Sequence, residues 1–86
     1  MMLIYVAVYK EDVRDYWAEV PALADCFCSG DSVAGTLLDA PATIQFYVEV
    51  MRIENPRFKI VQKPLSVLKT LPEYAGAAWH AVKVDI

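Results

Sequence analysis

Cys26 and Cys28, two residues apart, and a single histidine, His80, are the side chains whose chemistry stands out in this chain. A thiol pair can ligate zinc, close a disulfide or supply a nucleophile. Zinc sites take about four N or S ligands, and Cys26, Cys28 and the distant His80 fall short of that set, so no metal is expected. In a strand, side chains at i and i+2 point the same way, which is poor geometry for a disulfide. Both thiols are expected to be reduced and partly buried, as free cysteines usually are. His80 could serve as a general base, but nucleophilic catalysis needs a Ser, Cys or acid within hydrogen-bond reach, and the local sequence suggests no such relay. Glu19, Glu49 and Asp85 are scattered and read as solvated face charges. No Gly-rich phosphate loop is present. The chain is expected to carry no catalytic residue, no cofactor and no enzyme activity.

The composition points the same way. Eighty-six residues make one small domain, and a chain this short buries a modest core, so stability gains from association. Yet 57% of the residues are hydrophobic, and the mean hydropathy is +0.31. No apolar run approaches the roughly 18 residues of a membrane span, and the start, MMLIYVAVYKED, lacks the basic region of a signal peptide. A cytosolic, non-membrane protein is expected. The net charge is −3, and the eight Lys and Arg form no basic stripe. Direct nucleic-acid binding, which draws most of its affinity from phosphate neutralisation, is therefore not expected; a basic protein partner is.

The elements that would position these residues follow from periodicity. Residues 3–9 (LIYVAVY), 16–20 (YWAEV) and 26–29 (CFCS) read as strands with short connections, an antiparallel meander. Ser32 or Asp31 caps a helix, with Val33, Leu37, Ala40, Ile44, Tyr47, Val48 and Met51 on one stripe and Asn55-Pro56 as its end. Pro41 interrupts it. The stripe keeps its phase across Pro41, so one kinked helix is expected; the alternative is a fresh start capped by Asp39, with Pro41 in its first turn. FKIV (58–61) reads as a short edge strand, and PLSVLKTLP as one or two helical turns. WHAVKVDI (79–86) alternates and forms a last strand, placed beside the first by a right-handed crossover. The fold class is α+β, ordered β-β-β-α-β. That is the order at the start of the ribonuclease H fold, whose nucleases hold two metal ions on acidic residues; LIYVAVY offers no carboxylate.

Period-2 parity puts Ile4, Val6, Val8, Tyr16, Ala18, Val20, Val82, Val84 and Ile86 under the helix. The far face then carries Tyr5, Tyr9, Trp17, Trp79 and Phe27, more aromatic surface than a soluble monomer usually exposes. The helix carries a second apolar stripe: Ala42, Phe46, Val50 and Ile53. Tyr and Trp anchor interfaces. The interface candidates are Tyr5, Tyr9, Trp17, Phe27, Phe46, Val50, Ile53 and Trp79, and a homo-oligomer, most simply a two-fold dimer, is expected.

The run DYWAEVPALADCFCSGDS (15–32) resembles the N-terminal, partial ribonuclease H-like domain of HicB-type antitoxins. The positions that carry the resemblance are Tyr16, Trp17, Pro21, Cys26, Gly30, Asp31 and Ser32, followed by a helix in phase and a closing strand like WHAVKVDI. The resemblance covers about residues 3–54 and 79–86. It implies an antitoxin that binds a small basic RNA-cleaving toxin of the HicA type and occludes its active site; the alternative is an orphan HicB-like oligomer without a toxin. Three features depart from the family pattern. Asp25 stands where a Gly is usual, so the turn must differ or hold Asp in a left-handed conformation. Ala34 and Gly35 replace a usual Glu pair, removing the capping box. No C-terminal DNA-binding domain is expected, and with it no operator binding.

Overall fold

The computed structural model describes residues 1–86. A four-stranded sheet forms from β1 (Met2–Asp12), β2 (Asp15–Glu19), β3 (Phe27–Gly30) and β4 (Ala78–Val84), in the order β3-β2-β1-β4, with alternating β-branched residues in β1 and β4. The meander is as expected, and so is the place of β4 beside β1. All neighbours are antiparallel, β4 included. The right-handed crossover expected for the last strand does not apply, because that rule governs parallel pairs.

The helical segment is two helices, not one kinked helix. α1 (Val33–Leu38) and α2 (Ala40–Glu54) meet at Asp39, and Pro41 lies in the first turn of α2. A proline there costs little, because its missing N–H would have no intrahelical partner. Asp39 keeps right-handed helical angles, so the apolar stripe continues in phase: Ala40, Ile44 and Val48 are fully buried. The Asp39 side chain makes no capping bond.

One core lies between sheet and helices. Ile4, Val6, Val8, Ala18, Val20, Val82 and Val84 face Ala40, Ile44 and Val48 across it, joined by Leu23 and Cys26 from the β2–β3 connection. The parity predicted for each strand is the parity observed.

Residues 57–63 form no strand, contrary to the edge strand expected at FKIV. Phe58 and Ile60 turn onto the core while Lys59 and Val61 stay exposed. The ladder position beyond the end of β2 is filled by a side chain instead. The Gln62 amide accepts from Tyr5 N–H through Oε1 (2.9 Å) and donates from Nε2 to the Leu3 carbonyl (3.0 Å). The chain then crosses to the other face, through α3 (Leu65–Leu68) and a 3₁₀ turn (Pro72–Tyr74), the helical turns expected between the prolines. Leu68 and Tyr74 line a small hollow there with Pro21 and Ala22.

Candidate protein-interaction surface

Tyr5, Tyr9, Trp17, Phe27 and Trp79 lie on the helix-distal face, as the registers Tyr9↔Trp17, Ala7↔Trp79, Tyr5↔Ala81 and Glu19↔Phe27 require. Tyr9, Trp17 and Phe27 pack on one another, and Trp79 packs on Tyr74. Tyr9 stacks on Trp17 at 4.5 Å between centroids, Phe27 tilts against Trp17 at 6.1 Å, and Tyr74 meets Trp79 edge-on at 5.5 Å. Ala7 beneath them is fully buried. Burial pushes the Tyr9 phenol up to about 12, with the nearby Glu19 carboxylate adding to the rise. The hydroxyl is enclosed and completes no well-formed hydrogen bond. Of the five aromatics, only Phe27 stays more than half exposed, at 56%.

The segment 15–32 sets where Phe27 sits. After β2 the chain makes a compact turn closed by Val20 N–H to the Cys26 carbonyl (3.1 Å) and Leu23 N–H to the Val20 carbonyl (3.0 Å). Asp25 takes a left-handed conformation at φ 60°, one of the two outcomes expected of an Asp at this turn. Tyr47 of α2 donates its hydroxyl to the Ala24 carbonyl at 2.7 Å, tying the turn to the helix. Gly30 admits α1: a Cβ there would lie 2.7 Å from Thr36 N. Ser32 caps α1, its Oγ accepting from Gly35 N–H at 2.9 Å. Tyr16 packs against the core, with the Lys10 ammonium over its ring at 5.9 Å. Pro21 is half-buried and Asp31 exposed.

This arrangement leaves an apolar surface open between β3 and α2. Phe27 at the start of β3 and Phe46 and Val50 on α2 line a cleft of about 250 Å³, floored by Cys26, Tyr47 and Met51 and rimmed by Asp25. Phe46 is 68% exposed. Ile53, farther along the same stripe, is also exposed but lies outside the cleft. The cleft joins the two surfaces that the sequence marked separately, the far-face aromatics and the second helix stripe. β3 is also a sheet margin. Because Val20 N–H bonds the Cys26 carbonyl, the even-numbered residues of β3 face β2, and Phe27 and Ser29 turn their backbone groups outward.

Cys26 and Cys28 are free; burial pushes Cys26 up to about 11 and raises Cys28 as well, so both stay thiols at neutral pH. No three His, Cys, Asp or Glu side chains gather in metal-binding geometry, and no helix is long and apolar enough to cross a membrane. Sequence reasoning missed Leu23, which anchors the turn, Gln62, which extends the ladder beside β1, and Tyr74, which packs on Trp79; all three lie in segments without periodicity.

Residues 4–86 match the model of the HicB-like antitoxin of bacterial toxin-antitoxin systems. The chain belongs to this family. Its fold superposes on the N-terminal domain of the Burkholderia pseudomallei antitoxin HicB with a TM-score of 0.83 at 26% identity, covering 99% of this chain and 100% of that one. Against a longer HicB structure from the same organism the TM-score is 0.87 at 28% identity, over 100% of this chain and 65% of the other. An uncharacterized 14.9 kDa protein of Haemophilus phage HP1 is 31% identical over 77 residues, 88% of this chain and 57% of the phage protein. The HicB-like chain thus spans little more than half of that relative. A structure of a HicA3 and HicB3 toxin-antitoxin complex shares the fold, with a TM-score of 0.62 at 19% identity over 99% of this chain and 100% of that one.

Proposed function

We propose that this HicB-like antitoxin neutralises a small, basic, RNA-cleaving toxin of the HicA type by direct contact, and that the Phe27–Phe46–Val50 cleft is the contact surface. The observation that carries the reading is the exposure of two phenylalanines, Phe27 and Phe46, beside a free strand margin, in a chain whose other aromatics are at least half-buried. Apolar anchors in a pocket supply most of the energy of such interfaces. Asp25 at the rim and the net charge of −3 suit a basic partner, because complementary charge speeds encounter and fixes orientation. The HicA3 and HicB3 complex among the fold relatives supports the kind of partner. The antitoxin works by occlusion and contributes no reacting group.

The test is RNA cleavage by a purified HicA-type toxin from the same genome, titrated with this chain. Cleavage should stop near stoichiometric antitoxin. Undiminished cleavage at excess antitoxin, with no complex on gel filtration, would overturn the reading in favour of an orphan role.

A further inference from the structure

The sheet has a second free margin, and it is the longer one. β4 runs seven residues without a bulge or a proline, whereas β3 has four. The direction of its hydrogen-bonding groups follows from β1. Tyr5 N–H and the Leu3 carbonyl meet Gln62 on the β2 side. The even-numbered residues of β1 therefore face β4, and the pairs Ile4↔Val82 and Val6↔His80 are the bonded ones. Trp79, Ala81 and Lys83 turn their N–H and C=O groups outward, and no loop or cap bond in the chain uses them.

We propose that this margin pairs with the β4 of a second copy, antiparallel about a two-fold axis at Ala81, joining two four-stranded sheets into one of eight strands. The strand is complementary to itself in this register. Centring on Ala81 is the one alignment that pairs all of Ala78–Val84 with the same stretch of the partner. The outward groups of Trp79, Ala81 and Lys83 then find partners in full. The small Ala81 side chains meet at the axis, and each Lys83 falls opposite the partner's Trp79 on the helix-distal face, where an ammonium and its stem can lie along an indole. Leu3, 51% exposed and registered with Lys83, continues that row, so the order across the seam is Leu3, Lys83, the partner's Trp79, the partner's Ala7. Centring on Lys83 would set like charges face to face, and centring on Trp79 would leave the end of the strand unpaired. An unpaired edge is a template for another strand, and this one lacks devices that blunt it apart from Lys83 itself. The seam lies on the opposite side of the sheet from β3, so it leaves the Phe27–Phe46 cleft free.

Light scattering on the purified chain reads the mass, and Ala81→Cys reads the register. Opposed residues of a bonded antiparallel pair sit about 5.5 Å apart at Cα, within disulfide range, so Ala81→Cys should cross-link into a covalent dimer under mild oxidation while Phe46→Cys should not. Ala81→Lys places like charges at the axis on an exposed position and should weaken dimerisation at least tenfold without lowering the melting temperature of the monomer. A chain that stays monomeric at high-micromolar concentration overturns the proposal. So does a dimer that Ala81→Lys leaves intact and Ala81→Cys fails to cross-link.

Discussion

The Trp17 indole donates from Nε1 to Glu11 Oε1 at 2.6 Å, and the bond exists because β1 bulges at Glu11. Lys10 pairs with Tyr16 and Asp12 with Asp15, leaving Glu11 without a partner of its own. A bulge re-aims a side chain, and here it carries a carboxylate to an indole that is itself stacked on Tyr9 and beside Phe27. Glu11→Ala should free the indole edge, shift Trp emission to the red and cost about 0.5–1.5 kcal/mol by denaturant melts, the usual worth of one such bond.

Gly30→Ala tests the approach of α1 to β3. The new Cβ would sit 2.7 Å from Thr36 N and 2.9 Å from the Gly35 carbonyl carbon. Both are backbone atoms, so the clash must be relieved by moving the helix. Overpacking of this kind costs about 1–3 kcal/mol, read as a lower urea midpoint with native far-UV circular dichroism.

Gln62→Ala should expose the Tyr5 amide. Its replacement leaves the Tyr5 N–H and Leu3 carbonyl without protein partners. Amide exchange at Tyr5 should quicken by tenfold or more, while exchange at Val6 and Val8, which face β4, stays slow.

The cysteines predict alkaline lability. Cys26 is raised to about 11 from an unperturbed 9.0, chiefly by burial. A raised folded-state value means that the folded protein holds its proton where the unfolded chain has lost it, so the stability is fully present below pH 9 and drains away as pH climbs to about 11. Tyr9, raised from 10.0 to about 12, extends the loss upward. Melting temperature should be flat from neutral pH to 9 and fall beyond it, and Cys26→Ser should flatten the first part of that fall. A pH-independent melt through this range would contradict the burial of the thiol.

The parts of this fold that the sequence made legible are those with a period. Ile4, Val6 and Val8 alternate with Tyr5, Ala7 and Tyr9, so the two faces of the sheet could be read directly, and Ala40, Ile44 and Val48 marked the buried stripe of α2. Pro41 misled because a continuous phase is equally compatible with a helix that restarts: Asp39 keeps helical angles, so the break costs the stripe no register. FKIV misled because Phe58 and Ile60 alternate like a strand while the ladder they would join is taken by the Gln62 side chain. The candidate surface was half legible. Phe27 and Phe46 were each marked as exposed, but their meeting in one cleft depends on Asp25 and on the Tyr47–Ala24 bond. The covering of Trp79 depends on Tyr74, delivered by a segment with no period at all.

Calorimetric titration of a HicA-type toxin into this chain and into its Phe46→Glu variant tests the proposed mechanism most directly. Phe46 is exposed on α2, so the substitution should leave the fold and its melting temperature essentially unchanged. A charge in the centre of an apolar contact should weaken toxin binding about 30-fold or more, the effect of losing one interface anchor of about 2 kcal/mol. Toxin binding equal to wild type in a folded Phe46→Glu variant would contradict the cleft as the contact surface.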